Sequence, residues 1–169
     1  MFVDLESAIR ELAPKLIRYC TARTRQPSLA EEIAQESLSA LVDRWRRHGP
    51  PDSPEAFVFA VAKRRAARVL LRRRLWLPLR LLDGRTDGSP DPEQRAMERS
   101  ELDRLLRAID SLPARVREAL LLVVVADLPT REAARVLGIS ESAVKMRMLR
   151  ARSRLSSLLE AENGTVRRK

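Results

Sequence analysis

Cysteine, histidine, glycine and aromatic residues are all scarce in this chain, and each shortage narrows what it can be. Its 169 residues include one cysteine, Cys20, and one histidine, His48. One thiol cannot close an internal disulfide, and with His48 far away it makes neither a zinc set nor a convincing nucleophile, so Cys20 reads as a buried small hydrophobe. No cofactor or metal is expected. No cluster of carboxylates or activated nucleophile stands out, which makes an enzyme acting on nucleic acid, such as a recombinase, a poor fit. No apolar run reaches bilayer length, and MFVDLESAIRE carries acids where a secretory signal needs cations; stable membrane insertion is not expected, and the protein is placed in the cytoplasm. Alternating β-branched runs are nearly missing too. Only Val123 to Val125 read locally as strand, inside a longer apolar helical pattern, so the fold expected is all-α.

What the chain has in excess is positive charge. The formal net charge is +10, and the cations are clustered, which favours a polyanionic partner, nucleic acid ahead of anionic lipid. The densest pattern runs from Leu128 to Leu155. Thr130 behind Pro129 reads as an N-cap, Glu132 adds an acid to the first turn, and Ala133, Ala134, Val136 and Leu137 form an apolar face. Gly138 stands where a helix must end, Ile139 can plug the gap, and Ser140 is the next N-cap. Val144, Met148, Ala151, Leu155 and Leu159 then recur at spacings of three and four, while Lys145, Arg147, Arg150 and Arg154 fall on other sides. This is the pattern of a helix-turn-helix whose second helix is built to enter a major groove. The bland alternative is a helix pair of an ordinary bundle with a solvated basic face.

From the N-terminus, Leu5, Ile9, Leu12, Leu16 and Ile17 predict an amphipathic helix to about Tyr19, kinked or split at Pro14. Cys20 to Pro27 reads as a short polar connection. Ser28 and Glu31 form a capping box opening a helix through Ala30, Ile33, Ala34, Leu38, Leu41, Val42 and Trp45, whose outer side carries Glu31, Glu32, Gln35 and Glu36. By composition alone that acidic patch is a solvated face near the helix N-terminus. A loop follows from His48 to Ser53, and Pro54 starts PEAFVFAVAKRRAARVLLRRR. Phe57, Val61, Val69 and Leu70 are expected inward. Lys63, Arg64, Arg65, Arg68, Arg72, Arg73 and Arg74 make a cationic rail without interleaved acids, which points to nucleic-acid contact.

From Trp76 to Asp91 the composition turns to Gly, Pro, Asp and Ser, the chemistry of a linker, preceded by an odd apolar stretch from Leu75 to Leu82. Asp91 and Pro92 begin a helix to about Asp110 that buries Leu102, Leu105, Leu106 and Ile109. Ser111-Leu112-Pro113 breaks it, and Ala114 to Ala126 forms a strongly apolar helix before the helix-turn-helix. The expected organisation is a helical domain over 1–75, a flexible linker over 76–91, a helix-turn-helix domain over 92–160 and a basic disordered tail over 161–169.

With these parts in order the chain resembles a bacterial sigma factor of the small extracytoplasmic-function (ECF) group, which keeps only regions 2 and 4. SLPARVREALLLVVVADLPTREAARVLGISESAVKMRMLRARSRLSSLL looks like region 4, and AEEIAQESLSALVDRW is similar to the region 2 helix that docks on the polymerase clamp. PEAFVFAVAKRRAARVLLRRR is similar to the segment that opens and reads the downstream promoter element. The resemblance implies a dissociable promoter-specificity subunit of RNA polymerase without catalytic chemistry of its own. It implies that Glu31, Glu32, Gln35 and Glu36 contact a basic coiled coil of the β′ clamp. His48 and Ser53 bound a loop that takes a base flipped from the downstream (−10) element, with Phe57 or Phe59 stacking on bases as the other option. Phe57 stands where the family has a core tryptophan and is expected to pack. Lys63, Arg64, Arg65 and Arg68 would hold the same strand. In the upstream (−35) major groove the resemblance puts Ser140, Ser142, Lys145, Met146, Arg147, Arg150 and Arg154, with the apolar helices of that domain docking on the β flap. It also implies an anti-sigma factor that can sequester the protein at the membrane, and association with the nucleoid when active. Arg64 and Arg68 replace the family's frequent Asn and Asp, and Met146 replaces a small serine, so promoter sequence does not carry over by analogy. A stand-alone helix-turn-helix regulator is the main alternative, opposed by the acidic helix and the separate rail. A membrane-surface protein using LWLPLRLL is opposed by that segment's shortness and its proline.

Overall fold

Asp4 starts the first helix: its carboxylate accepts Ser7 N at 2.8 Å and Ser7 Oγ at 2.9 Å, opening α1 (Leu5–Thr24). The computed structural model describes residues 4–76 and 104–166. The expected kink or break at Pro14 does not end α1, which continues as one helix; Pro14 lies on the exposed side, where the carbonyl it leaves unpaired can be hydrated. The buried face is Ala8, Leu12, Leu16, Tyr19 and Cys20. Ile17, expected inward, is 42% exposed, because the face is turned toward Tyr19 and Cys20. Nor is Cys20 to Pro27 a polar connection. The helix runs on through Thr24, whose Oγ1 donates to the Cys20 carbonyl at 2.8 Å, and Arg25 in a left-handed conformation ends it.

α2 (Pro27–His48) opens on Pro27 rather than on the Ser28–Glu31 capping box. Proline's preset φ begins the helix one residue before Ser28 could serve as cap, and both Ser28 and Glu31 are exposed. Leu29, Ala30, Ile33, Ala34, Ser37 and Leu41 are buried, with Leu38 and Trp45 packed partly against them. α3 (Pro54–Trp76) starts as expected: Ser53 Oγ accepts Ala56 N at 3.0 Å. Its core residues are Val58, Phe59, Val61, Ala62 and Ala66, with Phe57 and Val69 partly buried. Phe59 is 0% exposed and meets Tyr19 edge to face at 5.5 Å between ring centroids. It is a core residue, closed off from a stacking base in this conformation. Phe57 packs, as expected.

The expected linker after Trp76, the apolar stretch to Leu82, the helix start at Asp91 and Pro92, and Leu102 lie outside the described residues. The second unit begins with α4 (residues 104–110), broken at Ser111-Leu112-Pro113. α5 (Ala114–Leu120) runs into a π-helical turn, Leu121–Val125, closed by Ala126 N to Leu121 O at 2.9 Å. The one helix expected over Ala114 to Ala126 therefore changes its winding midway, and Val123 to Val125 are helical. Asp127, left-handed, turns the chain into α6 (Thr130–Leu137). Thr130 is not the N-cap: Pro129, with φ −54 and ψ 144, takes that position, and Thr130 is the first helical residue. Gly138 is left-handed with φ 65, and Ser140 Oγ accepts Ala143 N at 3.2 Å to start α7 (Glu141–Val166). α7 continues past the expected end at Glu160, so residues 161–166 are helix rather than tail; Ala161 and Glu162 are good helix formers. Residues 167–169 lie outside the description.

Two caps can be tested directly. Ser140→Ala should cost about 1 kcal/mol through the lost cap. Gly138→Ala should cost ~1–2 kcal/mol from its left-handed backbone alone, because an added Cβ would meet nothing within 4 Å. Urea unfolding midpoints measure both.

The two helical units abut. α6 lies against α3 and the π-helical turn against α1, and buried residues of both units form one continuous apolar cluster.

Candidate nucleic-acid interface

Each surface follows from how its helix is buried. In α7, Val144 and Ala151 are fully buried and Met148 nearly so, which fixes the rotation of the helix. Lys145, Arg150 and Arg154 are then exposed, Arg147 half-buried and Met146 50% exposed. Among the described residues Lys145, Arg150 and Arg154 have no ion-pair partner. Ser140 and Ser142 share a hydrogen bond at 2.9 Å beside the cap. The recognition-helix residues thus form one surface.

The residues expected to hold the downstream strand are not brought together on one exposed face. His48 is exposed at the end of α2, and Arg64 and Arg68 are exposed one turn apart on α3. Phe59 is in the core. Ser53 and Lys63 lie on the seam between the units: Ser53 Oγ donates to a Glu132 carboxylate oxygen, and Lys63 Nζ donates to the Val136 carbonyl at 2.9 Å. Arg65 turns toward α2 and pairs with Glu36. Glu31, Glu32, Gln35 and Glu36 do share one exposed face of α2.

The seam holds polar residues that sequence reasoning missed. Tyr19 OH donates to Glu118 Oε1, and Arg23 Nε is 3.1 Å from Glu118 Oε2, near enough for an ion pair although the N–H is not aimed for a hydrogen bond. Burial, then the Glu118 charge, pushes the Tyr19 hydroxyl well above its ordinary pKa. Arg18 Nε donates to Val125 O at 3.2 Å, and Arg25 pairs with Asp110 at 3.3 Å. Lys15 pairs with Glu11 at 3.3 Å and with Glu55 at 3.4 Å. Burial works against the Lys15 charge, but the two carboxylates outweigh it and raise its pKa. Glu55 is raised as well, first by burial and further by Glu132 and Glu11 against the pull of Lys15. No local pattern marks such partners, since Tyr19 and Glu118 lie 99 residues apart.

Cys20 is fully buried, and burial pushes its thiol up to about 12, so it is inert. Among the described residues no His, Cys, Asp and Glu group could hold a metal, and no helix is long and apolar enough to cross a membrane.

The arrangement is a helix-turn-helix behind a three-helix unit with an acidic outer face. The family Sigma-70 region 2 matches residues 8–76, and Sigma-70, region 4 matches residues 102–155. The ECF RNA polymerase sigma factor SigD of Mycobacterium tuberculosis is 32% identical over 167 residues, covering 93% of this chain and 77% of SigD. This chain belongs to the ECF sigma factors. The ECF sigma factor ShbA of Streptomyces griseus is 35% identical over 158 residues, 87% of this chain and 83% of ShbA. Among solved structures, CnrH in complex with the cytosolic domain of CnrY superimposes with a TM-score of 0.68 at 22% identity, over 94% of this chain and 91% of CnrH. The sigma factor RpoE in complex with the anti-sigma factor NepR from Bartonella quintana gives 0.69 at 20% identity, over 94% and 98%. At those identities the superpositions speak for the fold, two helical units as expected. As a sigma factor the chain directs RNA polymerase to promoters.

Proposed function

We propose that this ECF sigma factor grips the promoter at two places and the polymerase at two others, and that it performs no chemistry itself. The unit over 1–75 binds the β′ clamp through Glu31, Glu32, Gln35 and Glu36 and helps melt the −10 element, taking the unwound strand with the His48–Ser53 loop and with Lys63, Arg64, Arg65 and Arg68. The unit over 92–160 docks on the β flap and places Ser142, Lys145, Met146, Arg147 and Arg150 in the −35 major groove, with Ser140 and Arg154 at its edges. The observation that carries this reading is the recognition helix, which buries Val144, Met148 and Ala151 and turns Lys145, Met146 and Arg150 outward. Phosphate contacts would hold register while few side chains specify sequence. The exposed thioether of Met146 can meet a thymine methyl but donates no hydrogen bond. An anti-sigma factor is the expected antagonist, in keeping with the complex of RpoE with the anti-sigma factor NepR. The working site is the cytoplasm, where polymerase meets the nucleoid.

The test is holoenzyme assembly. Mixed with core polymerase, the chain should co-elute and support transcription from a specific subset of promoters; tight duplex binding alone with indifference to core refutes the reading. Within that holoenzyme, Arg150→Ala should weaken promoter binding about tenfold on all sequences and lower the salt slope by about 1. Met146→Ser should instead change which base is selected from a randomised duplex.

A further inference from the structure

We propose that Leu149, beside Met146, reads thymine C5-methyl groups on neighbouring base pairs of the −35 element, so that this chain selects its upstream element by apolar contact. The inference rests on the reading that α7 enters the −35 major groove. The buried line of α7, through Val144, Met148 and Ala151, fixes which residues point farthest from the core. At about 3.6 residues per turn these are Ser142, Met146, Leu149 and Ser153, all exposed. No charge stands on that outermost line. Its two long side chains are apolar: Met146 is 50% exposed and Leu149 60%. A lone exposed leucine is ordinary on a protein surface. Two large apolar side chains one turn apart, on the outermost line of a helix that is otherwise polar or cationic outside, are not.

The cations stand to either side of this line, and Leu149 forms a wall of two clefts. The first, of about 680 Å³, is lined on α7 by Arg150 and Arg154 and on α5 by Arg115. The second, of about 290 Å³, holds Lys145 and Arg152 with Thr130 at the start of α6. No carboxylate lines either cleft, and among the described residues none of these five cations has an ion-pair partner. A phosphate backbone fits each flank, which leaves the uncharged line between them facing the base edges. There Ser142 already shares its hydroxyl with Ser140 at 2.9 Å, and neither Met146 nor Leu149 can donate a hydrogen bond. The base feature that such side chains distinguish in a major groove is the thymine methyl. Met146 and Leu149 are about 4.5 Å apart along the helix axis, close to the roughly 3.4 Å between stacked bases, so they meet neighbouring pairs.

The test takes methyl groups off the DNA. Holoenzyme made with the full chain selects a −35 sequence from a randomised duplex, and each thymine of the selected sequence is then replaced by uracil, which lacks only the C5-methyl. Uracil at two neighbouring base pairs should each weaken binding about fourfold, the worth of one buried methyl, and at both together about fifteenfold. Leu149→Ala should erase the uracil penalty at one of the two and Met146→Ala at the other. A selected sequence without such thymines, or uracil without penalty in the wild type, overturns the methyl reading; if Arg150→Ala still weakens every sequence, the groove reading stands. Penalties that survive both alanine variants come from DNA shape, and the methyl reading falls. So does it if Leu149→Ala keeps the penalties and weakens binding to core polymerase, since Leu149 then docks on protein. If neither Arg150→Ala nor any base change alters binding, α7 lies outside the groove and both readings fail.

Discussion

Reversing Glu32 and Glu36 together to lysine is expected to abolish binding to core RNA polymerase while the chain stays folded. Both carboxylates are exposed on the outer face of α2, in line with Glu31 and Gln35. Against a basic coiled coil, two carboxylates attract, and two ammonium groups at the same positions repel. Like-charge juxtaposition at an interface costs several kcal/mol, so affinity should drop by about a hundredfold or more. The fold loses little. The intramolecular contact at stake is the Glu36–Arg65 pair, whose side chains are 46% and 41% exposed, and such surface pairs are worth about 0–1 kcal/mol. Fluorescence anisotropy against core enzyme reads the affinity, and a circular-dichroism melt of the same sample reads the fold. A folded variant that binds core like the wild type removes this face from the docking surface.

The elements read best from sequence were those in which local chemistry and burial agree. Gly138, Ser140 and the Val144–Met148–Ala151 stripe set one turn and one helix rotation, and all three features occur as expected. The acidic face of α2 was legible for the same reason: its apolar side at Ala30, Ile33, Ala34 and Leu41 leaves one outward direction. In α3 the pattern is degenerate. PEAFVFAVA is apolar on nearly every side, so periodicity could not decide which of Phe57 and Phe59 faces inward, and tertiary packing against Tyr19 decided it. Caps were misread where proline intervened, at Pro27 and Pro129, since proline's fixed φ moved each helix boundary by one residue relative to the serine or threonine. The region after Tyr19 looked polar, yet Cys20 and Thr24 are buried and carry α1 onward. The seam was illegible in principle. Glu118 stands in a stretch whose pattern is that of a strongly apolar helix, and nothing local marks it until Tyr19 and Arg23 are brought to it from the other unit.

Phe59→Ala is expected to destabilise the chain by about 3–5 kcal/mol, the usual range for removing a fully buried ring. The ring is 0% exposed, and its edge-to-face contact with Tyr19, at an interplanar angle of 74°, adds about 0.5–1.5 kcal/mol to plain area burial. Tyr19 cannot follow it into the void, because its hydroxyl is tied to Glu118 across the seam. The cavity should therefore stay open rather than collapse. A drop in urea midpoint with an unchanged slope would show lost stability alone. Phe59→Leu distinguishes core from site. It keeps most of the apolar volume and should lose far less stability, and promoter opening should follow the folded fraction. If Phe59→Leu leaves the urea midpoint intact yet abolishes opening, the ring does meet a base, and α3 must rotate in the open complex to present it. Burial on this scale argues the other way: in the proposed reading the polar and cationic side of α3 holds the strand, and Phe59 fixes the rotation that puts Arg64 and Arg68 outside.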